Sequence, residues 1–345
     1  MTALAFNFLQ DGSRRPAEVA AELVTFLRSA ARSLDVAIYD FQARDGVTAS
    51  IADALEETAR RGVSVRLAFN VERESSAGDP RSPRSTPEHI DGLDVPTRGV
   101  SGNGALMHHK YVVRDGAGVW TGSTNWTDDA FGREENVVVR VESEAIAAAY
   151  GRNFEELWAR GRVEGTGARG DATRMGASLV QPLFSPDGPS LAQAVASRIG
   201  EARRRVRLAS PVITSGPILG TLAELAGHRS FDLAGAYDLT QMEEVDRQWR
   251  GVPANQWKRE AWEVVRRRLV GKRSTPYGPH SVHDYMHAKA VVVDGEVLTG
   301  SYNCSHGGED NAENLLWIKD PAAADQFASF VDRVVARYAA GAASA

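Results

Sequence analysis

The sequence contains one cysteine, five lysines and no long apolar run. Cys304 alone cannot build a disulfide-stapled scaffold or a cysteine-rich zinc or iron–sulfur site. No stretch approaches the ~18 apolar residues of a membrane-spanning helix. The first residues, MTALAFNFLQDGSRRP, lack the basic start, apolar core and small-residue cleavage site of an export signal. The expectation is therefore a cytoplasmic protein with no stable membrane insertion. Basic charge is also in deficit, with 40 Lys and Arg against 45 Asp and Glu. A net charge of −5 argues against indiscriminate coating of polyanions but leaves a local basic groove open. Because 35 of the 40 basic residues are arginine, each lysine marks a place where a compact point charge is retained over a planar fork.

What is present fits a globular chain. At 345 residues and 43% hydrophobic content, one large or two medium domains can bury an ordinary core. Helical periodicity runs from about Pro16 to Ser33, with Val19, Leu23, Phe26, Leu27 and Ala30 on one face. A strand is expected over Leu34–Phe41, a helix over Ala49–Arg61 and a buried strand over Val63–Phe69. Residues Glu72–Gly104 are rich in Gly, Pro and Ser, and read as a long loop with a short strand near Leu93–Pro96. Strands at Tyr111–Val113 and Val119–Thr121 flank an Asp-Gly turn. A strand at Val137–Val141 and a helix from Ser143 to Trp158 close this half. The second half repeats the order: a helix from Leu191, a strand at Val206–Ser210, a helix from Pro217, and strands at Asp232–Tyr237, Ala290–Val293, Val297–Thr299 and Leu315–Ile318. A last helix runs from about Ala322. The expected organisation is an N-terminal lobe over 1–160, a linker over 161–176 and a C-terminal lobe over 177–345. A basic insert covers about 241–279 of the second lobe. The alternation of helices and strands predicts a layered α/β fold with a mixed sheet in each lobe.

The repeat extends to individual residues. His108-His109-Lys110 leads through Asp115 to Gly122-Ser123-Thr124-Asn125, and His287-Ala288-Lys289 leads through Asp294 to Gly300-Ser301-Tyr302-Asn303. Ten residues after each Asn comes Glu-Asn, at Glu135-Asn136 and Glu313-Asn314. With only eight histidines and five lysines in the chain, two chance matches sharing one tail are not credible. In a strand, His and Lys at alternate positions share a face. Two cations on one face of an apolar strand call for an anion or a function.

These paired motifs resemble those of the phospholipase D superfamily of phosphodiesterases. The resemblance covers nearly the whole chain. It implies two similar α/β lobes, each a mixed sheet flanked by helices, related by a pseudo-twofold axis. The two motifs would meet in one active site that needs no metal and no cofactor and works through a covalent phosphohistidine. The residue chemistry agrees. Lys110 and Lys289 can neutralise a phosphodiester, and Asn125 and Asn303 can donate to its oxygens. One histidine can attack phosphorus while the other protonates the leaving oxygen. The resemblance makes His108 the nucleophile, whereas the residues alone leave His287 open. Glu135 and Glu313 are assigned to orienting the histidines, a place where the family often has a carboxylate. Ser123 and Ser301 support the motif locally. Asp115 and Asp294 sit beside turn glycines and are read as fixing turns and strand ends rather than moving protons. His109 faces away from His108, which suits a core histidine better than a third base. Cys304 and its counterpart Trp126 are read as packing. His280, His283 and His306 lie near the second motif but lack carboxylate partners at metal-binding spacing.

The substrate is less legible. Trp257–Arg273 carries seven cations against two carboxylates, interleaved with tryptophans. Trp257, Lys258, Arg259, Trp262 and Arg266 are candidate substrate contacts in a nucleic-acid groove. A patch for anionic lipid headgroups and a surface helix with inward-packed tryptophans are the other readings. Compactness and the absent export signal favour a nuclease-like phosphodiesterase acting on nucleic acid. A phospholipase D or phosphatidyl transferase is the alternative. A phosphate-binding module without catalysis is disfavoured, because both His-Lys sets are complete. Nothing indicates a protein partner.

Overall fold

In the computed structural model, residues 3–44, 46–71, 89–90, 92–278 and 281–342 are described. The N-terminal lobe contains β1 (Leu4–Leu9), α1 (Pro16–Arg28), β2 (Ser33–Ile38), α2 (Ala49–Arg60), β3 (Ser64–Asn70), β4 (Thr97–Val100), β5 (Lys110–Arg114), β6 (Gly118–Gly122), α3 (Asp128–Gly132), β7 (Asn136–Glu142) and α4 (Glu144–Arg160). The second lobe continues with β8 (Thr173–Met175), β9 (Ser178–Phe184), α5 (Leu191–Gly200), β10 (Arg205–Ser210), α6 (Gly216–Gly227), β11 (Asp232–Asp238), α7 (Leu239–Trp249), α8 (Gln256–Val265), β12 (Leu269–Lys272), β13 (Ala290–Val293), β14 (Glu296–Gly300), β15 (Asn314–Lys319) and α9 (Pro321–Ala342).

The two sheets share one topology. The first runs β1-β7-β6-β5-β2-β3-β4, and the second β9-β15-β14-β13-β10-β11-β12 with β8 added at the β9 edge. In each, the last three strands are parallel and the others antiparallel. This is the mixed-sheet, two-lobe α/β architecture that the repeat implies.

Local chemistry explains the elements that frame the site. Pro16 opens α1, whose Val19, Leu23, Phe26 and Leu27 are buried. Asp238 ends β11 and caps α7 by accepting from Gln241 N at 3.0 Å. Asp115 and Asp294 occupy the left-handed region, at φ 56° and 52°. Each carboxylate accepts from three successive backbone N–H groups, those of Ala31, Arg32 and Ser33 in one lobe and Arg203, Arg204 and Arg205 in the other. The motif aspartates thus pin the starts of β2 and β10 to the β5–β6 and β13–β14 turns.

Among the described residues, three apolar clusters form the core. One lies under α1 and α2 and one under α5 and α6. The third lies between the lobes and takes residues from both sheets, α4 and α9. Some expectations shift. The strand expected near Leu93–Pro96 is β4, at Thr97–Val100, and residues 72–88 of the expected loop lie outside the described residues. The segment expected as a linker is docked: Val163 and Thr166 are fully buried, and Gly170 N donates to Pro182 O at 2.8 Å. The basic insert is folded into α7, α8 and β12, and β12 is the counterpart of β4.

Candidate active site

The two histidine motifs enter their sheets side by side at the lobe boundary. Met107 bridges to Ala312 and Met286 to Glu135. His108 N donates to Ala312 O at 2.9 Å, and His287 N to Glu135 O at 3.1 Å. Each motif is therefore stitched to the tail of the other. His108 Nδ1 lies 2.7 Å from Oε1 of Glu313, in the opposite lobe. His287 Nδ1 lies 3.1 Å from Oδ1 of Asn136 and 3.3 Å from Oε2 of Glu134, again in the opposite lobe. The motif serines brace these acceptors: Ser301 Oγ donates to Glu313 at 2.6 Å, and Ser123 Oγ to Asn136 at 2.7 Å.

This geometry corrects the assignment of Glu135. Its carboxylate does not reach a histidine; it binds Lys272 Nζ at 2.7 Å and Tyr338 OH. The error came from register. Ser123 N pairs with Val137 O but Ser301 N with Asn314 O, so the first tail is one residue longer. Asn136 is thus the counterpart of Glu313, and Glu135 that of Ala312. Counting from the strands, rather than from the Glu-Asn dipeptide, would have singled out Asn136 and drawn attention to Glu134.

Lys110 and Lys289 are buried, and each donates to the carbonyl of its own motif histidine, at 2.7 and 2.6 Å. Lys110 Nζ lies over the Tyr39 ring, which also meets the His108 ring edge-on. Asn125 and Asn303 line one cavity of about 670 Å³ together with His287, Glu134 and Tyr285. Among the described residues, neither buried amide oxygen has a hydrogen-bond partner.

The charges describe a site suited to an anion. Burial pulls Lys110 down to about 7 despite Glu313 and Asp40, and pulls Lys289 well below the usual lysine range, helped by Lys110. Burial lifts Glu313 to about 7 and Glu134 to about 8, against the pull of nearby lysines. Both histidines are held well below 6.5, first by burial and then by Lys110 and Lys289. Each lobe's lysine thus acts on the other lobe's histidine, and a phosphodiester would supply the charge that these cations lack.

Other expected residues fall elsewhere. His109 is fully buried, beside the Tyr111 and Phe184 rings and 3.5 Å from Asn314 Oδ1. Cys304 and Trp126 are buried, with the Cys304 thiol pushed up to about 11 by burial. Among the described residues, no group of three His, Cys, Asp or Glu side chains could hold a metal ion, and His280 lies outside those residues. The basic insert is largely neutralised: Arg259 binds Asp246, Arg266 binds Glu263, Arg273 binds Glu243 and Lys272 binds Glu135. Trp262 is buried against the Tyr237 ring, and Lys258 lies over Trp249. Trp257 is half-exposed. None of Trp257, Lys258, Arg259, Trp262 and Arg266 lines the cavity, because α8 packs on α6 and α7, behind the cavity wall.

The family described as "Cardiolipin synthase, PLD-like domain" matches twice, over residues 23–158 and 195–335. The chain belongs to this family. It is a duplicated member of the HKD-type phosphodiesterase superfamily. "Mitochondrial cardiolipin hydrolase" of Xenopus laevis is 32% identical over 138 residues, 40% of this chain and 60% of that protein. The protein of that name from Chlamydomonas reinhardtii is 27% identical over 146 residues, 40% of this chain and 56% of that protein. The phospholipase D-like chain thus spans about three fifths of the length of the curated relatives it matches. The structure of phosphatidylserine synthase from Haemophilus influenzae Rd KW20 superposes with a TM-score of 0.66 at 14% identity, covering 96% of this chain and 86% of that one. That likeness is one of fold.

Two expectations are overturned here. The preference for nucleic acid over phospholipid does not stand, because the similar curated proteins are named for a phospholipid and four of the seven cations that suggested a nucleic-acid groove are paired with carboxylates. The cytoplasmic placement does not stand either, because those proteins are named as mitochondrial. No helix among the described residues is long and apolar enough to cross a membrane.

Proposed function

We propose that this chain cleaves the phosphodiester of a phospholipid through a phosphohistidine on His108, with His287 as general acid and then general base. The observation that carries the reading is the contact between His108 Nδ1 and Glu313 at 2.7 Å. With Nδ1 donating to the carboxylate, the lone pair resides on Nε2, as a nitrogen nucleophile requires. The names of the similar curated proteins support a phospholipid substrate.

In the first step, Nε2 of His108 bonds to phosphorus and the bond to the headgroup oxygen breaks. His287, in the wall of the cavity, gives that oxygen its proton. Lys110, Lys289, Asn125 and Asn303 hold the non-bridging oxygens as charge grows on them. In the second step, neutral His287 takes a proton from water, the hydroxide oxygen bonds to phosphorus, and the P–N bond breaks to return its electron pair to His108. An alcohol in place of water gives transfer by the same residues. Burial, and then Lys289 and Lys110, disfavour the imidazolium of His287. The substrate's negative charge offsets the two lysines, so protonation and binding are coupled.

The test is incubation of the purified chain with cardiolipin, phosphatidylglycerol and phosphatidylcholine vesicles, and separately with single-stranded DNA, each with and without EDTA. The expected outcome is phosphatidyl product that persists in EDTA, and a ³²P label from substrate mapping to His108. DNA cleavage with no lipid product, or activity abolished by EDTA and restored by one divalent ion, would sink the reading.

A further inference from the structure

Lys272 and Glu135 form an ion pair in which both side chains are almost fully buried, and the steps above do not use it. Lys272 Nζ also donates to Arg133 O at 3.0 Å, and Tyr338 OH, from α9, binds the second Glu135 oxygen. The pair joins β12 of one lobe to the tail of the first motif in the other. That tail touches His287 at three points: Glu135 O accepts from its backbone N, and Asn136 and Glu134 flank its Nδ1.

The pseudo-twofold axis supplies an internal control. Asp238 lies opposite Lys272 in β11–β12, as Asn70 lies opposite Val100 in β3–β4. Asp238 accepts from Met286 N, as Asn70 accepts from Met107 N. Val100 is thus the counterpart of Lys272, and Ala312 the counterpart of Glu135. Both are fully buried in the inter-lobe core. At equivalent positions the fold is satisfied by an apolar pair, which avoids the desolvation cost of two charges. The ion pair is therefore not a packing requirement. It occurs on the His287 side, where Nδ1 faces a neutral amide and a carboxylate at 3.3 Å, and not on the His108 side, where Glu313 binds directly at 2.7 Å.

We propose that Lys272, Glu135 and Tyr338 form a positioning unit that holds segment 134–136 against His287 and so governs proton transfer to the leaving oxygen. The inference rests on the reading of His287 as the general acid. The test is Lys272→Val/Glu135→Ala, which copies the apolar residues of the other half, removes both buried charges together and leaves the part-exposed Asp11, 3.6 Å from Lys272, to Arg337, alongside Tyr338→Phe, which removes one hydrogen bond. Turnover is compared on two diacylglycerol phosphodiesters that differ only in the leaving alcohol, glycerol or p-nitrophenol. The double variant should slow the glycerol ester by ~10-fold or more while slowing the p-nitrophenyl ester by less than ~3-fold, because a good leaving group needs little proton donation. Tyr338→Phe should shift the same ratio in the same direction by a smaller factor. Equal losses on both esters, or no loss on either, overturn the proposal. Imidazole ¹⁵N spectra of the same samples should show His287 leaving a single Nδ1–H tautomer in the double variant. A wild type that turns over neither ester refutes the proposed function, and the His287 tautomer then decides this inference, an unchanged tautomer overturning it.

Discussion

His109 stands between the two residues that face the phosphate site and turns the other way, which shows how finely a strand separates chemistry from packing. Burial pulls it down to about 3, more than Glu313 and Asn314 offset. In the unfolded chain it returns to about 6.5. Between those values the unfolded state binds one proton more, so the stability tied to a neutral His109 is complete above pH 6.5 and is lost as pH falls toward 3. Relative to His109→Phe, whose ring suits a site between Tyr111 and Phe184, the wild type should lose about 1.4 kcal/mol per pH unit across that window. Urea unfolding of both proteins at pH 7, 6, 5 and 4 measures the difference, and parallel curves would refute it. At this scale, the histidines and lysines were legible because strand alternation places them on one face. The acceptors were not, because each comes from the other lobe and one extra residue in the first tail shifts the count onto Glu135.

Among the elements, the Asp-Gly turns were the most legible feature, since their chemistry is local. Asp294 combines a left-handed backbone with a carboxylate that takes three backbone N–H groups at the start of β10. Asp294→Ala removes the acceptor and pays for a side chain that tolerates positive φ poorly, at a combined cost of about 2–4 kcal/mol. Asp294→Asn keeps an acceptor and tolerates the left-handed region, so it should cost less than half as much. Turnover of the folded protein should be unchanged in both, because Asp294 sits at the opposite end of β13 from His287. Thermal midpoints and turnover at a temperature where each variant is folded separate the two effects, and loss of turnover in a fully folded Asp294→Asn would contradict a purely structural role. β1 and β9 escaped sequence reading for the opposite reason. Their partners β7 and β15 lie more than a hundred residues downstream, and the turns beside them, Asp11-Gly12 after β1 and Gly176-Ala177 before β9, do not lead to those partners.

The whole molecule is one site shared by two half-folds, and nearly every feature that completes it crosses between lobes. Duplication could be read directly from the sequence, but the crossing could not, because pairing at long range leaves no local period. The substrate was illegible for a chemical reason: a phosphodiester in a nucleic acid and one in a phospholipid present the same reacting group to the same four cationic and amide side chains. The crossing also has a thermodynamic consequence. Phe327 of α9 meets Phe6 and Phe8 of β1 edge-on at 5.1 and 5.0 Å, and Phe330 stacks on Phe8 at 5.0 Å. A helix of the second lobe thus closes the core against the first strand of the other, inside the apolar cluster that both sheets share. If the lobes were independent, a cavity there would lower only the C-terminal transition. With a shared core and crossed histidine acceptors, the chain should melt in one calorimetric transition, and Phe327→Ala, at about 3–5 kcal/mol, should move that transition as a whole. Fluorescence from Trp120, Trp126 and Trp158 in the first lobe and from Trp249, Trp257, Trp262 and Trp317 in the second, separated by substituting one lobe's tryptophans with Phe, should report the same midpoint. Two resolved transitions, or a midpoint shift confined to the second lobe's tryptophans, would show that the lobes fold apart and that the site is assembled only by docking.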